Sequence, residues 1–164
     1  MKRILAGLVA ASALTAVPAA AQTVPDFAGA RVGVEVGVTD DDFLGTDEGS
    51  YGVTAGYDFD LGNTVVGVTG GYTGLFDDDG ADLREFSVAA RAGFKAAPAT
   101  LVYATAGYSN LDFDGLPGSL DGAKFGLGLE QSFGNVFANL ETRYADYEAG
   151  VELYQTVIGV GFRF

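Results

Sequence analysis

The run Ala28-Gly29-Ala30-Arg31-Val32-Gly33-Val34-Glu35-Val36-Gly37-Val38 alternates without a break. Ala30, Val32, Val34, Val36 and Val38 share one face of an extended chain, and Gly29, Arg31, Gly33, Glu35 and Gly37 share the other. Successive side chains of a strand point to opposite sides, so this segment is expected to be a strand with one oily face and one small or charged face.

The same chemistry recurs outward from it. Further strands are expected at about Ser50–Phe59, Thr64–Thr73, Arg84–Phe94, Thr100–Asn110, Ala123–Phe133, Val136–Asp146 and Leu153–Phe164. In the third strand Val66, Val68 and Tyr72 form the apolar face, while Val65 stands on the other. Short links, Asp60–Asn63, Lys95–Ala99 and Gly134-Asn135, separate longer ones at about Thr39–Gly49, Leu75–Leu83, Leu111–Gly122 and Tyr147–Glu152. Long and short links in alternation imply an all-β fold, an eight-stranded antiparallel up-and-down barrel. Strands of roughly ten residues suit a tilted crossing of a bilayer.

The faces decide between water and lipid. A soluble barrel of lipocalin or avidin type would bury bulky apolar side chains and show charge outside. Here the non-apolar face is dominated by Gly, Ala, Ser and Thr with a few charges, which suits the narrow lumen of eight strands. The apolar face holds no charge within the strand bodies, since Arg84 and Asp146 fall at strand ends. Tyr51, Phe59, Phe94, Phe133, Tyr108, Tyr144, Tyr154, Phe162 and Phe164 lie toward strand ends, as interfacial girdles would. The expectation is therefore a transmembrane barrel. A β-sandwich is disfavoured because the turn spacing of Greek-key folds is missing.

Composition narrows the chemistry. The chain has 164 residues, formal charge -13, 25 Gly, no Cys, no His and no Trp. Without Cys there is no disulfide or thiolate metal site. Without His there is no Ser-His or Cys-His catalytic pair. The acidity argues against a nucleic-acid partner. A mean hydropathy of +0.22 with 48% hydrophobic residues excludes a disordered acidic tail.

Lys2 and Arg3, the uncharged run Ile4–Val17 and Ala19-Ala20-Ala21 have the form of a secretory signal. Cleavage is expected between Ala21 and Gln22, with Ala19 and Ala21 as the small residues read at the cut. Residues 1–21 would then be the leader and 22–164 the barrel domain.

With the signal, the Ala55-Gly56-Tyr57, Gly70-Gly71-Tyr72 and Ala106-Gly107-Tyr108 strand style and the ending Val157-Ile158-Gly159-Val160-Gly161-Phe162-Arg163-Phe164, the chain resembles small outer-membrane β-barrels of Gram-negative bacteria, the OmpA/OmpX-like eight-stranded superfamily. The resemblance implies that Tyr154, Ile158, Val160, Phe162 and Phe164 form the terminal signal read by the barrel-assembly machinery, after periplasmic chaperones have carried the chain. It also implies short turns in the periplasm and longer loops outside, among outer-membrane lipid and lipopolysaccharide. Unlike the larger OmpA type, the chain is expected to carry no periplasmic peptidoglycan-binding domain.

Inward positions include Arg31, Glu35, Glu85, Arg91, Lys124, Glu130, Glu141, Arg143 and Arg163. Unpaired charge in a narrow lumen is costly, so these are expected to pair, with Glu35, Glu141 and Arg143 in one network. Such pairs could plug the barrel or gate it. The longer links gather carboxylates, including Asp77-Asp78-Asp79-Gly80 and Asp112, Asp114 and Gly115. Neither run fits a Ca²⁺ loop with its closing Glu. A solvated acidic rim is the simpler reading, with loose divalent bridging to lipopolysaccharide phosphates the alternative. No catalytic residue, cofactor or resident metal is expected. The leading expectation is a non-enzymatic monomeric barrel serving envelope structure and acting as a surface antigen. A narrow porin-like channel for small ions or solutes and a loop-mediated adhesin are the alternatives.

Overall fold

A computed structural model of the chain describes residues 27–41, 46–75, 83–113 and 119–164. Eight strands form a closed antiparallel barrel in chain order: β1 (Gly29–Asp41), β2 (Thr46–Asp60), β3 (Thr64–Leu75), β4 (Leu83–Ala97), β5 (Thr100–Phe113), β6 (Ser119–Phe133), β7 (Val136–Tyr147) and β8 (Val151–Arg163). Closure runs along β1 and β8, from Arg31 opposite Arg163 to Asp41 opposite Leu153. Every strand thus has two partners, and no edge is left to recruit another chain.

The strands are longer than the alternation of the sequence implies. They run 12 to 15 residues, and most of the extension is at the end with the longer links. There Thr39 pairs with Glu48 and Asp40 with Asp47, positions expected to lie in a loop. Beyond the apolar band both faces of a strand meet polar surroundings, so the hydrophobic period fades while the backbone ladder continues. At the other end the link expected at Lys95–Ala99 shrinks to Pro98-Ala99, because β4 continues to Ala97 through a register shift after Lys95. Tight turns close this end, with Gly62 at φ 94° and Gly134 at φ 80°, where a side chain would be strained.

The faces are inverted relative to a water-soluble barrel. Val34, Val36 and Val38 are 57%, 58% and 58% exposed, while Glu35 between them is 5% exposed. Phe59, Phe94, Phe133, Phe162 and Phe164 point outward near the short turns. Tyr51, Tyr72, Tyr108 and Tyr154 point outward nearer the long links, where the Tyr108 hydroxyl donates to Asp121 at 2.5 Å. The third strand keeps the phase with Val68 and Tyr72 outside, and Val65 is fully buried inside.

Inside the barrel, glycines are the receiving half of the packing. A Cβ on Gly128 would overlap the Tyr103 ring, one on Gly126 the Glu141 carboxylate, and one on Gly161 the Phe137 ring. Each large inward side chain leans across the bare backbone of its neighbour. That is how an eight-stranded lumen holds long side chains at crystal-like density.

Candidate functional site: the lumen

The inner face carries three tiers of ion pairs. Nearest the short turns, Arg91 donates to Asp58 at 2.6 Å and to Glu130 at 2.7 Å. Arg163 donates to the same two carboxylates, at 3.2 Å and 2.9 Å. Arg31 Nε completes the tier 3.2 Å from Asp58. Among the described residues, three guanidiniums thus share two carboxylates. Nε of Arg31, Nε of Arg91, Nε and Nη1 of Arg163 and Oδ1 of Asp58 have no hydrogen-bond partner among the described residues. Aromatic faces take up part of this excess. The Arg91 guanidinium lies 3.9 Å from the Tyr103 ring centre, and Arg163 lies 5.5 Å from that of Phe137.

The middle tier joins β1, β5 and β7. Arg143 forks onto both oxygens of Glu35, at 2.5 Å and 2.8 Å, and donates to Glu141 at 3.2 Å. Bidentate contacts of this kind are among the stronger and more directional side-chain bonds. Glu141 also accepts from the Tyr103 hydroxyl and from Thr105, each at 3.0 Å. Glu141→Ala is expected to lower thermal stability by about 1–3 kcal/mol, since it leaves these donors facing nothing. Heat-shifted gel mobility of the folded barrel reads that loss, and an unchanged midpoint would count against the network.

In the upper tier Lys124 donates to Glu85, which also accepts from Ser109 at 2.5 Å. Ser109 in turn meets the Tyr147 hydroxyl at 2.8 Å. Above it, Gln155 donates to Thr39 and Ser50, both at 3.3 Å.

Apolar layers close the stack at both ends. Phe27, Val65, Leu101 and Tyr103 form a buried cluster at the short-turn end. Leu111, Ala145, Tyr147 and Leu153 form another at the long-link end, flanked by Leu83, Leu120 and Val151. Between the tiers lies a cavity of about 40 Å³. Thr54, Thr69, Gly71, Ser87 and Ala89 form one wall of it, and Glu35, Lys124, Glu141 and Arg143 the other. This is room for about one to three waters. A larger hollow, of about 790 Å³, lies on the outer wall around Ala55 and Gly70, framed by valines, Tyr72, Phe86 and Phe162. It faces the lipid side and has no charged lining residue.

All nine lumen residues singled out in the sequence lie on this inner face. The set lacked Asp58, which is fully buried and anchors the short-turn tier. Its signal was present: Asp58 shares the phase of Gly52, Thr54 and Gly56. With it, Glu35, Asp58, Glu85, Glu130 and Glu141 balance Arg31, Arg91, Lys124, Arg143 and Arg163. The terminal-strand residues Tyr154, Ile158, Val160, Phe162 and Phe164 all point outward. The expected cleavage site at Ala19, Ala21 and Gln22, and the Asp77-Asp78-Asp79 run, lie outside the described residues. Among the described residues no three carboxylates gather as a metal site.

The family described as outer membrane protein beta-barrel domain matches residues 7–164. No curated protein sequence matches the chain. Neisserial surface protein A has a similar solved structure, with 19% identity, TM-score 0.61, and coverage of 83% of this chain and 97% of that one. The N-terminal β-barrel domain of Pseudomonas aeruginosa OprF is similar at 22% identity and TM-score 0.61, covering 82% of this chain and 97% of its own. The outer membrane enzyme PagL is similar at 16% identity and TM-score 0.57, covering 82% of this chain and 99% of its own. At these identities the likeness is one of fold, and a fold shared with an enzyme assigns no activity.

Proposed function

The chain belongs to the outer membrane protein β-barrel domain family, and from that premise we propose that it is a non-enzymatic structural barrel of the envelope whose lumen is closed by its own side chains. The observation that carries this reading is the balanced set of five acids and five bases stacked between two apolar layers. The ion pairs join facing strands across the lumen, and the cavity between the tiers measures about 40 Å³. Catalysis finds little support in the lumen, where the carboxylates are engaged by Arg or Lys and the chain has no His.

In this reading the longer acidic links face the medium, present a surface antigen and repel neighbouring anionic headgroups. The barrel stands as a monomer among lipid and lipopolysaccharide, and its outward-facing terminal strand is what the assembly machinery engages.

A narrow channel is the second reading, and the ion-lined cavity is what favours it. Planar-bilayer recording from the refolded barrel separates the two, once a gel-mobility shift has shown that it is folded. Silence is the expected result. Discrete steps that change when Arg143 or Glu141 is neutralised would overturn the closed-lumen reading.

A further inference from the structure

Phe27 precedes β1 and belongs to no strand, yet its side chain is fully buried. The mouth of a barrel opens to water, so an apolar ring buried there needs a specific seat. Gly29 supplies the turn. Its φ of 114° suits glycine, and the Phe164 carbonyl oxygen occupies the space that a Cβ would need. Phe27, two residues before the turn, is thereby brought over the lumen, where it joins the cluster of Val65, Leu101 and Tyr103.

Polar contacts hold it in place. The Phe27 backbone N–H donates to Asp60 at 3.1 Å, and Asp60 is itself gripped by Lys95 at 2.5 Å. The ring centre lies 5.2 Å from the Arg163 guanidinium and 5.4 Å from the Lys95 ammonium. None of these contacts is a rung of the barrel ladder, because β1 pairs with β2 from Gly29 onward and with β8 from Arg31 onward. The ring can therefore leave its seat without opening the wall.

We propose that Phe27 is a stopper sealing the short-turn mouth, and that its withdrawal turns the tier of Arg31, Arg91 and Arg163 into a blind pocket open to small anions from that side. Among the described residues, three guanidiniums stand against Asp58 and Glu130 in this tier, an excess of one positive charge. The stopper rests on the closed-lumen reading but fails separately from it.

The chain has no Cys, so a single Val65→Cys substitution reports on the mouth without background. The probe is the anionic thiol reagent sulfonatoethyl methanethiosulfonate, applied to the refolded barrel. Modification of Val65→Cys is expected to be slow with Phe27 in place and about tenfold or more faster with Phe27→Ala, because cysteine reaction follows exposure. Phe27→Leu refills the mouth and should restore slow modification. Equal rates with and without the ring overturn the proposal. If the Phe27→Ala barrel does not fold, Asp60→Ala removes the backbone anchor and leaves the ring; acceleration there supports the stopper, and none overturns it. Silent bilayers with equal labelling rates would sink the stopper alone, whereas conductance in the unaltered barrel would sink the closed lumen.

Discussion

Replacing Arg143 by leucine should cost the folded barrel about 3–5 kcal/mol, the usual penalty for removing one partner of a buried ion pair. The size follows from what is left behind. The Glu35 side chain is 4% exposed, and both of its oxygens accept from Arg143. Glu141 keeps Tyr103 and Thr105 but loses its cation. Denaturant unfolding in micelles, followed by gel mobility, measures the loss. The double variant Arg143→Leu with Glu35→Gln should recover part of it, because the stranded charge is gone. A double variant as unstable as the sum of its parts would mean that Arg143 acts by filling space and not by pairing.

Gly128→Val should be the second severe substitution, at about 3 kcal/mol or more, beyond the ordinary cost of overpacking. The Tyr103 ring fills the space over Gly128, and it cannot step aside. It stacks on Arg91 and donates to Glu141, so displacing it disturbs two tiers together. Gly70→Ala is the matched contrast. Gly70 faces outward, and the nearest atom to an added Cβ is the Ser87 carbonyl oxygen at 3.6 Å. That change should stay within about 0.5 kcal/mol. Equal effects at the two positions would refute the view that inner glycines are slots for their neighbours.

The contrast also shows why some of this architecture is legible in the sequence and some is not. Alternation is a local property, and each face of a strand meets one environment over the width of the bilayer. Runs such as Ala28–Val38 therefore announce strand, phase and lipid face together. Pairing depends on how far each strand is staggered against the next, which no local window contains. Arg143 is readable as inward, but its choice of Glu35 is set by closure of the ring. Asp58 is legible in phase, but a short carboxylate among small neighbours at a strand end gives no sign that three guanidiniums converge on it. Phe27 carries no periodic signal, because it lies outside every strand and its partners Val65 and Leu101 come from β3 and β5. The extra rungs at Asp40 and Asp47 were hidden for a different reason: polar residues there pair as strand while looking like loop.

The pairing of Glu35 with Arg143 spans 108 residues, and that of Gln155 with Thr39 spans 116. Contacts this distant along the chain form late, since the loop between them must be closed first. During folding Glu35 remains a solitary anion until β7 arrives, whereas Asp58 meets Arg31 and Arg91 earlier and gains Arg163 only with the end of β8. A partly built barrel therefore carries unmatched charge on the face that must become its interior. Such a half-ring is a poor resident of lipid, so insertion and closure are bound into one late, cooperative event timed by the last strand.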